Sequence, residues 1–191
     1  MCDMRKVKYN EKCNGDVLIS GAPKSGKVHC VSSIVLEALK AEKSVMWISE
    51  DDVSLYLEKI YDELTSMGKL FSKAYFYRKP AGEILSNNDI TKICHNLDWN
   101  EIWPDIMVFS NVSFGDYEET GEKFEFFREY CRSHNILMIY AVQSDAEGRV
   151  PMTMLRDVDF SYEMNADGDV RFGEFRMNQV KKNEGKEDIF V

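Results

Sequence analysis

The sequence predicts an α/β fold: a mostly parallel sheet flanked by helices, with an antiparallel hairpin edge at the C-terminal end. Three observations carry that expectation. Short, continuously apolar runs recur along the chain, as strands buried on both faces require. Between them lie longer segments whose apolar residues step by three and four, the spacing of one helix face. The two kinds alternate, which is the pattern of strand–helix–strand crossovers.

Taken in order, residues 1–14 are polar and are expected to form a loosely packed N-terminal segment. Asp16–Ser20 (DVLIS) reads as the first buried strand. A Gly/Pro/Ser-rich stretch, Gly21–Gly26, leads into a helix with Val28, Val31, Val35 and Leu39 on one face. Ser44–Ser49 (SVMWIS) is the second strand. Val53, Leu57, Ile60, Leu64 and Met67 then follow helical spacing, with Gly68 suited to the helix C-terminus. Ala74–Tyr77 is a further strand, closed by Lys79-Pro80. Ile90, Ile93, Cys94 and Leu97 mark a short helix capped by Ser86, Asn88 or Asp89. Asp105–Ser110 (DIMVFS) is another buried strand, and Thr120–His134 a helix that buries Phe124, Phe127 and Cys131. Asn135–Val142 (NILMIYAV) is the most apolar run and is expected at the centre of the sheet. Beyond it, Asp159–Met164, Asp169–Met177 and Glu187–Val191 are short strand-like pieces. Ala166-Asp167-Gly168-Asp169 carries hairpin-turn chemistry between them.

Composition bounds the function. A chain of 191 residues, 44% hydrophobic and 12% aromatic, fits one packed domain spanning 1–191 and excludes global disorder. Lys and Arg number 24 against 33 Asp and Glu, a net charge of -9 that disfavours DNA and other polyanions as partners. No run reaches the roughly 18–20 apolar residues that span a bilayer. The N-terminus lacks the apolar stretch of a secretory signal. The five cysteines are odd in number and scattered, so they are read as reduced thiols in a cytoplasmic protein with no membrane contact.

The sharpest local signal is Gly21-Ala22-Pro23-Lys24-Ser25-Gly26-Lys27-Val28, a G-x-x-x-x-G-K string set between a buried strand and an amphipathic helix. Glycines let the backbone curl so that successive N–H groups point inward as an anion nest, and the following helix N-terminus adds its dipole. Lys27 would reach the β- and γ-phosphates of a nucleotide. Val28 stands where a full phosphate-loop motif has Ser or Thr, so it offers Mg²⁺ no hydroxyl.

From this motif onward the chain resembles the RecA/RadA/DnaB family of P-loop ATPase cores, nearly throughout and in the expected order. DVLISGAPKSGK resembles the Walker A strand and loop. SVMWISEDDVS resembles the segment ending in the RadA-like "SGEES", which puts the water-activating acid at Asp51, with Glu50 as its neighbour. WPDIMVFSN resembles the Walker B strand, with Ser110 in place of the terminal Asp. NILMIYAVQSDAEGRVP is similar to the strand that leads to the family's γ-phosphate switch, placing Gln143 there. LRDVDFSYEM resembles the family's "aD-x-v-l" strand. QVKKNEGKEDIFV is similar to the "K-N-R-x-G" hairpin that reaches a neighbouring subunit's nucleotide. Lys181 keeps its lysine and Asn183 replaces its arginine.

The resemblance implies a RecA-like fold, ATP as ligand with a weakly coordinated Mg²⁺, a homo-oligomer, and a role in DNA recombination, repair or replication. Val28, Ser110 and Asn183 strike metal coordination, metal orientation and transition-state charge, so hydrolysis is expected to be weak or absent. The alternative is a non-catalytic pseudo-ATPase acting in assembly or regulation. Other registers place the Walker B acid at Asp105 or Asp116, and the finger at Arg149, Arg171 or Arg176.

The remaining constellations have plainer readings. Cys94-His95 and the Cys131/His134 pair lack a second pair at zinc spacing, so they read as buried thiols and surface imidazoles. His29 lies beside the phosphate loop and could face a ligand, but a satisfied polar contact is the favoured reading. Trp99 and Trp103 are expected in core or subunit packing rather than against bases. Lys181-Lys182 reads as a solvated hairpin. The stretch Gln143–Arg156 corresponds to the DNA-facing loop of RecA-like proteins, but Asp145 and Glu147 offset Arg149 and Arg156.

Overall fold

The computed structural model describes residues 15–69, 71, 73–80, 82–112, 117–144, 150, 154, 158–165 and 176–182. Its elements run β1 (Asp16–Gly21), α1 (Lys27–Lys40), β2 (Val45–Ser49), α2 (Ser54–Ser66), β3 (Ala74–Arg78) and α3 (Asn87–Asn100). They continue with β4 (Ile106–Ser110), α4 (Tyr117–Ser133), β5 (Leu137–Gln143), β6 (Phe160–Asn165) and β7 (Arg176–Lys182). Each buried strand expected from an apolar run is present, and α4 begins three residues before its expected start.

The strands form one sheet in the order β3-β2-β4-β5-β1-β6-β7. The run NILMIYAV supplies β5, which occupies the centre, hydrogen-bonded to β4 on one side and β1 on the other. The antiparallel hairpin edge expected at the C-terminal end is formed by β6 and β7. β6 runs parallel to β1, from Val17 opposite Phe160 to Gly21 opposite Met164. β7 alone is antiparallel, with a bulge where the register shifts between Ser161 and Tyr162. Of the strand expected over Asp169–Met177, the described part is Arg176 and Met177, which open β7. The turn at Ala166–Asp169 and the strand at Glu187–Val191 lie outside the described residues.

Alternation along the strands sends successive side chains to opposite faces and builds two cores. On one face Val17, Ile19, Val45, Trp47, Val108 and Ile139 pack under α1 and α2, through Cys30, Val31, Ile34, Val35, Ile60 and Leu64. On the other, Leu18, Ile48, Met107, Phe109, Met138 and Tyr140 meet α3 and α4 through Ile90, Ile93, Cys94, Phe124, Phe127 and Cys131. Each such side chain contributes about 1.5–3 kcal/mol by leaving water, so both layers are needed to offset chain entropy. Met67, expected on the buried face of α2, is half exposed because the helix has already ended at Ser66.

Local signals explain the helix ends. Ser86 caps α3 in a reciprocal box, accepting from the Asp89 N–H while the Asp89 carboxylate accepts from the Ser86 N–H. Gly68 follows α2 with a φ of +69°, which glycine adopts without strain. No helix among the described residues is long and apolar enough to cross a membrane.

Trp99, in the last turn of α3, and Trp103, just beyond it, stand outside the core, which was one of the two places expected for them. Trp99 is 79% exposed and stacks on His95, and Trp103 stacks on His134 while donating to Asp98. Neither enters the core of this chain: Trp99 lies on the side of α3 turned away from the buried Ile90, Ile93 and Cys94, and Trp103 follows the left-handed Glu101 that ends the helix. Cys131 and Cys94 are buried as expected, and His134 also contacts Tyr130.

Candidate functional site

Six parallel strands, β1 to β6, end together on one side of the sheet, and the loop after β1 lies at that edge. In an open parallel sheet, ligands bind beyond the carboxyl ends of the strands. There an open cleft of about 630 Å³ is lined by Pro23, Lys24, Ser25, Gly26, Lys27, Val28, His29, Asp51, Asp52, Tyr56, Ser110, Asn111, Ala141 and Gln143. The Gly21–Val28 string thus forms the floor of a cleft whose walls come from β2, β4, β5 and α2.

The loop's curvature has identifiable causes. Lys24 and Gly26 both take positive φ, at +64° and +89°, which turns the backbone around the space above α1. Ser25 N–H donates to Ala22 O at 3.2 Å and tightens the bend. Gly21 is required by close approach. A Cβ there would lie 2.6 Å from Ser25 Oγ and 2.8 Å from the Met164 carbonyl of β6. α1 starts from Gly26 without a side-chain cap, so the positive end of its dipole faces the cleft.

Lys27 is 8% exposed, and its ammonium donates to Gly21 O at 2.8 Å, Ala22 O at 2.7 Å and Ser25 Oγ at 3.4 Å. Burial holds its pKa below the ordinary lysine range, opposed by the nearby Asp51 charge. The loop carbonyls therefore position a cation at the base of the nest. A phosphate oxygen would exchange for one of them.

A chain of hydrogen bonds crosses the cleft wall behind Lys27. Trp47 Nε1 donates to Ser110 Oγ at 2.8 Å, and Ser110 Oγ donates to Ser49 Oγ at 2.9 Å. Ser49 Oγ donates to Ser110 O at 3.2 Å and accepts from Asp51 N–H at 3.1 Å. Ser110 is fully buried, so its hydroxyl is spent on the protein. Next to it, Asn111 takes a φ of +56°, donates its N–H to Ala141 O, and donates through Nδ2 to Asp51 Oδ1 at 3.2 Å. Asn111 was missed in the sequence. The available signal was an Asn directly after a buried strand, a residue that tolerates left-handed backbone.

The structure brings Lys27, Asp51 and Gln143 into one cleft. Gln143 is level with Gly21 across the β1–β5 pair, and Ser144 N–H donates to Gly21 O at 3.0 Å. Lys181 lies elsewhere: it is opposite Ser161, itself level with Leu18, three residues back from the loop end of β1. Arg176 is opposite Asn165, at the same end of the sheet as the phosphate loop. Asp105 drops out as a cleft acid. It precedes β4 at the far end of the sheet, where its Oδ2 accepts from Ser44 N–H and Oγ at 2.7 and 2.8 Å. Asp116, Arg149, Arg171 and Asn183 lie outside the described residues.

The donors do not fit a divalent metal as they fit a phosphate chain. Val28 has no oxygen, the Ser110 hydroxyl is occupied, and Asp51 accepts from Asn111. Asp52 accepts from Ser54 N–H and Oγ at 3.1 and 2.5 Å. Among the described residues no three His, Cys, Asp or Glu side chains are grouped to hold a metal ion.

No protein-family model matches the chain, and no curated protein matches it. Solved structures do match, 474 chains in all, so the arrangement is a widely used one. One of them is described as an ATPase domain: TM-score 0.64, 11% identity, covering 90% of this chain and 78% of that chain. At that identity the likeness speaks for the fold alone, and the fold is RecA-like α/β.

Proposed function

We propose that this protein binds ATP through the Gly21–Val28 loop, and hydrolyses it slowly or not at all. The observation that carries the reading is Lys27, held by loop carbonyls at the base of a nest of left-handed residues, under the positive end of α1. Cleft size supports it too, since about 630 Å³ falls within the range of small-molecule sites. Following the family resemblance, we place the protein in DNA recombination, repair or replication. We read it as cytoplasmic and as a homo-oligomer in which Lys181 serves a neighbouring subunit. Asp51 and Gln143 would face the terminal phosphate.

One observation favours the second reading, a pseudo-ATPase used in assembly or regulation. The hydroxyl at Ser110 is committed to Trp47 and Ser49, and Val28 offers no oxygen, so two of the metal-holding positions serve the scaffold instead. Titrating labelled ATP against the wild type and Lys27→Ala, with and without Mg²⁺, tests both readings, together with a steady-state ATPase assay. Binding lost in Lys27→Ala with negligible turnover is the expected result. Robust turnover abolished by Lys27→Ala would overturn the slow-hydrolysis claim. No binding at all would leave only the assembly role.

A further inference from the structure

We propose that His29 is a phosphate-binding group of this cleft, and that its protonated ring supplies the positive charge a metal ion would otherwise bring to a bound polyphosphate. The inference rests on the phosphate-site reading above and deepens it.

His29 is the third residue of α1, so it sits in the first turn, at the positive end of the helix dipole. It lines the same cleft as Lys27. Its ring is half-buried and meets Tyr56 of α2 edge-on, with centroids 6.1 Å apart. Ser32 and Ser33 both donate to its carbonyl, at 2.7 and 3.0 Å, which fixes its turn of the helix.

The charge balance of the cleft explains why a third cation matters. Lys24 and Lys27 line it, and so do the carboxylates Asp51 and Asp52. Two ammonium groups against two carboxylates leave little net attraction for a polyphosphate that arrives without a metal. The metal positions cannot help, because Val28 has no oxygen and the Ser110 hydroxyl is bonded to Trp47 and Ser49.

The imidazole meets Tyr56 and feels the Lys59 charge, both on α2, and it shares the cleft with Asp51 and Asp52 of the β2–α2 loop and with Lys24 and Lys27 of its own loop and helix. Burial, then the Lys59 charge, hold its pKa below the ordinary histidine value and so favour the neutral ring in the absence of ligand. A phosphate at the loop acts in the opposite sense, because an adjacent negative charge favours the protonated form. By linkage, a ligand that raises the affinity for a proton is itself bound more tightly when the proton is present. Each pKa unit of rise on binding is a tenfold gain in affinity once the ring is protonated. Affinity should therefore climb as pH falls from about 8 to about 5.5.

The test uses the full chain with ATP and with tripolyphosphate, in EDTA, by calorimetric titration at both pH values. The proteins are wild type, His29→Gln, His29→Lys and Lys27→Ala, each checked by thermal melting. The phosphate's own titration is common to all and cancels in ratios. The expected result is a wild-type to His29→Gln affinity ratio that grows about tenfold between the two pH values. His29→Lys should bind tightly at the higher pH, with a flat ratio to His29→Gln. If the ratio is the same at both pH values, or His29→Lys gains nothing, the role of His29 is overturned. In that case binding lost in Lys27→Ala still upholds the phosphate site. Absence of wild-type binding at either pH overturns both.

Discussion

Removing the Ser110 hydroxyl should cost this protein far more than a serine-to-alanine change on a surface. In Ser110→Ala the indole N–H of Trp47, 1% exposed, loses its acceptor at 2.8 Å. A buried donor left unsatisfied costs about 1–3 kcal/mol. The Ser110 to Ser49 bond at 2.9 Å is lost as well, for about 0.5–1.5 kcal/mol more. The expected total is about 2–4 kcal/mol, a large share of the roughly 5–15 kcal/mol that holds a domain folded. Urea unfolding followed by circular dichroism would read it as a drop in midpoint at constant slope. The control is a double-mutant cycle with Trp47→Phe. With no indole N–H to satisfy, Ser110→Ala should cost visibly less, with a coupling of about 0.5–3 kcal/mol. Because Ser49 Oγ also accepts from Asp51 N–H, the same substitution should loosen the Asp51 loop. A variant within about 0.5 kcal/mol of wild type, or a cycle that is simply additive, would refute the reasoning. Ser110 would then be a tolerated relic rather than a structural link.

Two further outcomes follow from the geometry. Gly21→Ala should destabilise by about 1–3 kcal/mol and weaken ATP binding, because its Cβ would press on the Met164 carbonyl of β6, which cannot rotate away as the Ser25 hydroxyl can. A thermal melt and a nucleotide titration indistinguishable from wild type would disprove that. At the far end of the sheet, Asp16 is buried between Arg132 Nη2 at 2.6 Å and Arg128 Nε at 3.2 Å, and its N–H donates to Asp159. Burial outweighs the two guanidinium groups and raises its pKa from 3.8 to about 6. The favourable contribution of a raised carboxyl is complete below pH 3.8 and is lost as pH rises through 6. Relative to Asp16→Asn, the wild type should therefore lose on the order of 3 kcal/mol of stability from about pH 4 to about pH 7. Denaturant curves for the pair with no pH-dependent difference would contradict this.

How much was legible in the sequence depends on the range of the forces involved. Strands such as DVLIS and NILMIYAV and the spacing in α1 are local patterns, so the elements and the layer order could be read directly. The Gly21–Val28 loop was legible as a turn between strand and helix because its residues lie close together in the chain. Asn111 and Tyr56 were not, because their places in the cleft depend on how β4 and α2 pack against β2, contacts about sixty residues apart in the case of Asn111 and Asp51. The exposure of Trp99 follows from its place out of phase with the buried Ile90, Ile93 and Cys94, so α3 turns it to solvent, where it stacks on His95. The antiparallel pairing of β6 with β7 was legible from the strand-like pieces either side of a turn-forming stretch, whereas the parallel pairing of β6 with β1 joins residues far apart in the chain.

Val28 and Ser110, which the sequence resemblance sets against Ser/Thr and Asp, each make contacts of their own in the structure. Val28 packs partly against the core beneath α1, where a Thr would exchange a methyl contact for a hydroxyl. Ser110 completes a chain from Trp47 to the Asp51 loop, where an Asp would bring a charge into a fully buried position beside an indole donor. On the proposed reading both residues withhold an oxygen from a metal, and each adds a contact within the protein. The cradle on the other side depends on Gly21, Lys24, Gly26 and Lys27, and its geometry is intact. Ground-state binding draws on the cradle and the cations beside it, whereas acceleration needs charge placed for the transition state. A cleft that keeps the first and converts the second into scaffold is one suited to holding a phosphate ligand, which is the basis of the slow-hydrolysis reading proposed above.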